Sequence, residues 1–61
     1  MTEQEIIELA AILVNEHGHA ARDVAERRQS QHAPHSYSYR LWTRIAEATA
    51  RLLREKLREE A

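Results

Sequence analysis

Apolar side chains return at intervals of three and four along most of this chain. In the first half they fall at Ile6, Leu9/Ala10, Leu13/Val14, Ala20/Ala21 and Val24/Ala25, with the imidazole of His17 in the same phase. At about 100° per residue these positions fill one sector roughly 160° wide, the pattern of an amphipathic helix. Glu8, Ala11, Asn15, Gly18, Arg22 and Glu26 face the other way, and Ile12 is the one large apolar residue off the stripe. The start is well marked. Thr2 followed by Glu5 fits a capping box, and Met1 and Ile6 occupy the staple positions around it. The spacing predicts one helix over residues 2–28.

Gly18 admits an alternative. Inside a helix glycine costs about 1 kcal/mol relative to alanine; just past a helix end it is the preferred left-handed cap. The stripe keeps its phase through Gly18, which favours one rod, bent at most. The other outcome is two short helices with a corner at His17–Gly18–His19.

Residues 29–36 lose the periodicity, and Pro34 disfavours helix at Ala33, so this stretch reads as a connector, with Ser36 or Ser38 capping the next helix. A second stripe runs Leu41/Trp42, Ile45/Ala46, Thr49, Leu52/Leu53 and Leu57, with no Gly or Pro, and predicts a helix over 37–60. Arg40, Arg44, Glu47, Arg51, Arg54 and Arg58 share its opposite face. The expected fold is all-α: an antiparallel helical hairpin of 2–28 and 37–60 forming a single domain. That arrangement would lay Glu3, Glu5 and Glu8 beside Arg51, Arg54, Lys56 and Arg58.

Two helices cannot cover 160° stripes on each other, so a hairpin should keep an apolar flank in water, as association sites do. Two hairpins about a two-fold axis would form a four-helix bundle and bury both flanks. A break at Gly18 would instead permit a compact three-helix monomer. The expected interface comprises Ile6, Ala10, Leu13, Val14, His17, Ala21, Val24, Trp42, Ile45, Thr49, Leu52 and Leu53. Trp42 is its expected anchor, with truncation to Ala costing ~3 kcal/mol or more.

Composition narrows the class. Ten of the apolar residues are alanines, against twelve Ile, Leu and Val, so the core must be small. There is no cysteine for a disulfide or a thiolate–zinc site. No apolar run approaches the ~20 residues of a membrane span. Residues 1–15 carry three Glu and no basic residue, unlike a signal peptide. A cytoplasmic setting is expected. Net charge is −1, yet residues 1–19 hold four Glu and no Lys or Arg, while 20–61 hold all nine basic groups against six acids.

Three chemistries come into question. His17 and His19 bracket Gly18, and His32 and His35 flank Ala-Pro. An i,i+2 pair does not share a helix face, and about ten helical residues, ~15 Å, separate His17 from the connector; no metal and no cofactor are expected. His17 on the stripe suggests an interfacial imidazole able to make assembly pH-sensitive. Arg22, Arg27, Arg28, Arg40 and Arg44, with Tyr37, Tyr39 and Trp42, combine guanidinium forks with stacking surfaces near the connector. They are the candidate for binding nucleic acid or another anionic surface, although Asp23 and Glu26 leave only +3 there. Catalysis lacks a nucleophile–base pair, a Gly-rich phosphate loop or an H-E-x-x-H; neither an enzyme nor a small-molecule substrate is expected.

The runs Val14-Asn15-Glu16-His17-Gly18-His19-Ala20-Ala21, Val24-Ala25-Glu26-Arg27-Arg28 and Leu41-Trp42-Thr43-Arg44-Ile45-Ala46 resemble a group of short bacterial α-helical proteins of unknown function. That group combines a helix ending in His-Gly, an Ala-Glu-Arg segment and a Trp-x-x-Ile-Ala helix. The resemblance spans about two-thirds of the chain. It departs at the connector, where the group often has Gly-Asp and this chain has His-Ala-Pro-His-Ser-Tyr-Ser. It implies a helical fold, no particular activity, and a single packing arrangement for His17, Gly18, Arg27 and Trp42. The sequence therefore leads to a small non-catalytic interaction or adaptor protein, pairing with itself as a homodimer or with a larger protein. Nucleic-acid or anionic-surface binding is the alternative.

Overall fold

Thr2 adopts extended backbone and caps the first helix on both sides: the Glu5 N–H donates to its hydroxyl at 3.2 Å, and its own N–H donates to the Glu5 carboxylate at 3.0 Å. The computed structural model describes residues 1–60, with side chains through Glu59. From that cap, α1 runs Glu3–His17. A 3-10 turn, Gly18–Ala20, leads into α2, Ala21–Ser30, and a connector over 31–36 leads into α3, Tyr37–Glu60. No strand occurs among the described residues.

The cap sets a pH dependence. Glu5 is held below the ordinary carboxylate value, first by the Thr2 backbone N–H and then by the Thr2 hydroxyl. A carboxyl whose folded pKa is lowered stabilises the fold above its unfolded value, about 4.3 for Glu. That contribution is lost as pH falls through the lowered folded value. Thr2→Ala should cost ~1 kcal/mol; Glu5→Gln, which removes the titrating carboxyl, should flatten the loss of stability as pH falls below about 4.3, followed by urea melts at stepped pH.

The first rod is not continuous. Gly18 sits at φ 58°, ψ −130°, its N–H donating to the Val14 carbonyl, and the chain turns a corner there. Of the two outcomes open to Gly18, the structure has the break. The second helical segment also extends two residues past 28, to Ser30, which shortens the connector. Ser36 closes that connector: its hydroxyl accepts from the Tyr39 N–H at 3.1 Å and donates to the Ala33 carbonyl at 2.8 Å.

The corner decides which way the helices run. Across the connector α2 and α3 form an antiparallel hairpin, with the Gln29 amide donating to Thr43 at 2.7 Å and Arg28 over the Trp42 ring. Across the corner α1 reverses again and therefore runs parallel to α3. The Met1 amino group reaches the Tyr37 hydroxyl at 3.3 Å, Glu3 pairs with Arg44, and Ile7 lies by Ala48 and Leu52. The expected placement of Glu3, Glu5 and Glu8 against Arg51, Arg54, Lys56 and Arg58 is thus corrected: the acidic start of α1 meets the beginning of α3. The molecule measures 38 × 21 × 16 Å. The long dimension matches the ~36 Å rise of 24 helical residues, so α1 and α2 lie alongside α3 rather than extending it.

Ile6, Ala10 and Leu13 of α1, Ala21 and Ala25 of α2, and Ile45, Ala46 and Thr49 of α3 are buried where the three helices meet. Thr49 satisfies its hydroxyl by donating to the Ile45 carbonyl at 2.7 Å, so no buried side-chain polar atom is stranded among the described residues. Four of the eight are alanines. The helices approach closely, and only Ile6, Leu13 and Ile45 contribute large apolar side chains from the interior.

Candidate functional site

Half of the expected interface is used inside the chain. Ile6, Ala10, Leu13, Ala21, Ile45 and Thr49 are buried by the chain's own helices, so they offer nothing to a partner while the fold is intact. Val14, Val24, Trp42, Leu52 and Leu53 are half-buried. His17 is a different case: it ends α1, lies exposed, and its Nε2 is 3.8 Å from the Glu16 carboxylate. The helix stops at His17, so its side chain leaves the stripe it shared by periodicity.

Trp42 is also less interior than its place in the stripe implied. One side packs against the core, and the Arg28 guanidinium lies 5.9 Å from the ring centroid, within cation–π range. The four residues joined by the family resemblance are not brought together. His17 and Gly18 stand at the corner, while Trp42 lies near the other end of α2, about ten residues or ~15 Å away. It is Arg28, not Arg27, that stacks on Trp42.

The basic and aromatic cluster is likewise dispersed. Arg22 is bonded to Glu26 at 2.9 Å, Arg44 to Glu3, and Arg28 covers Trp42. Three of the five guanidiniums are engaged within the chain. A depression of about 470 Å³ runs between α2 and α3 over Ala46 and Ala50. Its walls alternate Arg22, Arg51 and Arg54 with Glu26 and Glu47, so no single-sign field builds up there. Among the described residues no three His, Asp or Glu side chains are grouped to hold a metal ion, and no helix is long and apolar enough to cross a membrane.

Apolar surface stays exposed both on and off the stripes. Ile12, off the stripe, is 52% exposed, and Leu57 near the end of α3 is 50% exposed. Between α1 and α3 a shallow groove runs over Ile7, Ala11, Ala48 and Leu52. Of these only Leu52 belongs to the expected interface. Ile7 was legible as an apolar residue beside Ile6; its face was not, because that depends on α1 running parallel to α3. The chain matches no protein-family model, no curated protein and no solved structure.

Proposed function

We propose that the protein is a small non-catalytic interaction module that self-associates through apolar surface left uncovered by its own helices. The observation that carries the reading is this uncovered surface. A 7.1 kDa monomer is expected to expose about 4,100 Å²; this chain exposes 4507 Å². The excess accompanies large apolar side chains at or beyond half exposure in a molecule whose interior holds few of them.

The form of association differs from two hairpins sharing their stripes. That bundle needed Ile6, Leu13 and Ile45 on an open flank, and each is enclosed by its own chain. A homodimer is retained here, built from faces of complete three-helix units; a larger protein partner is the other form the module would take. The anion-binding alternative has less support, since its arginines have no convergent site.

Sedimentation equilibrium over a concentration series, at low and high salt, tests the reading. The mass should rise toward twice that of the chain and fall only modestly with added salt, because buried apolar area is not screened whereas exposed charges at the rim are. Association that appears only with added nucleic acid and vanishes steeply with salt would replace this function with phosphate binding.

A further inference from the structure

We infer that the α1/α3 groove receives a second copy of the chain about a two-fold axis parallel to the helices, so that α1 of each copy lies over α3 of the other. This rests on the self-association proposed above and adds the face and the register. The groove floor is Ile7, Ala11, Ala48 and Leu52; its rims carry Asn15 on the α1 side and Arg51 and Glu55 on the α3 side.

The register follows from symmetry. A pure two-fold along the helices keeps every residue at its own height. Within the chain Glu3 meets Arg44, 41 positions apart; Ile7 shares the groove with Ala48 and Leu52, 41 and 45 positions on, and Ala11 with Leu52 and Glu55, 41 and 44 positions on. The dimer therefore sets Ile7 of one copy over the Ala48–Leu52 turn of the other, and Ala11 over the turn from Leu52 to Glu55. Large against small is how facing helices interdigitate without voids or clashes, and Ala11 and Ala48 supply the small side chains.

Charge selects this axis over the competing one. A two-fold across the helices would face α1 with α1, and α1 carries four Glu and no Lys or Arg. With the axis along the helices, Glu8 of one copy comes within two residues of height, about 3 Å, of Arg51 of the other. Both side chains are exposed, and neither is in an ion pair among the described residues. Two such pairs flank the apolar layers. The face is small. Fifteen residues of α1 rise about 22 Å, and two helices are ~20 Å across, so the total area covered is on the order of 1,000 Å², the lower edge of specific interfaces. A dissociation constant in the micromolar range is expected.

Sedimentation equilibrium of four variants, with helicity followed by circular dichroism, tests this. Glu8→Arg and Arg51→Glu should each weaken dimerisation about tenfold or more, and E8R/R51E should return to within about threefold of wild type. Ala11→Arg, at an exposed position, should leave a monomer of unchanged helicity. A dimer that persists in Ala11→Arg, or a double variant no tighter than the single ones, overturns this face and register while self-association stands. A wild-type chain that stays monomeric overturns both.

Discussion

Ile45→Ala should remove about half of the protein's folding stability. Ile45 is fully enclosed at the middle of α3, where α1 and α2 converge with Ile6 and Ala25 in the same cluster. Removing its branched side chain forfeits transfer free energy and leaves a cavity that rigid neighbouring helices fill only in part, together ~2–5 kcal/mol. A chain of this length has a total stability of only about 3–9 kcal/mol. Ile6 and Leu13 are the other large apolar side chains buried in the described interior, and the rest is mostly alanine. Trp42→Ala is the informative contrast: the ring is half-exposed and held partly by Arg28, so its loss should cost less, about 2 kcal/mol. Urea melts followed by far-ultraviolet circular dichroism would rank the two. The ranking fails if Trp42→Ala is the more damaging change.

Gly18→Ala should convert the corner into a straight helix. At φ 58°, ψ −130°, an L-residue is strained by ~1–3 kcal/mol. In a continuous helix, alanine is favoured over glycine by about 1 kcal/mol. Both terms favour the rod, and no packing clash enters, because an added Cβ would meet nothing within 4 Å. A straight rod over 3–30 would pull α1 off its own core and expose Ile6, Leu13 and Ile45. The remedy available to such a chain is to insert α1 into a second copy, a domain swap. Gly18→Ala should therefore lower the stability of the monomer by ~1–3 kcal/mol and yield a slowly exchanging, elongated dimer. Small-angle scattering and chromatographic mass would show it; a variant with wild-type melting and wild-type radius would mean that the corner is held by packing alone.

That corner also explains what could be read from the residues and what could not. The Thr2–Glu5 cap, the beginning of α3 at Tyr37 and the core positions Ile6, Leu13, Ile45 and Thr49 follow from local chemistry and a 3.6-residue period. These features depend on neighbours in sequence. Gly18 is different. A stripe that faces one common core keeps its phase on both sides of a corner, so periodicity cannot distinguish a bent rod from a reversal. Glycine at that position is compatible with either. Everything that depended on the choice moved with it: the partner of Glu3 became Arg44, His17 left the stripe, and Ile7, Ala11 and Ala48 became a surface. The loop arginines were identifiable as a cluster in sequence. The Arg22–Glu26 pair follows from i,i+4 spacing, whereas the capture of Arg44 by Glu3 and of Arg28 by Trp42 requires the third dimension.

The most direct test of self-association is the mass of the unmodified chain in solution, measured by sedimentation equilibrium from roughly ten to several hundred micromolar, a range that brackets the affinity expected of so small a face. A concentration-dependent approach to twice the chain mass is predicted. A single species at the chain mass across the whole range would contradict it.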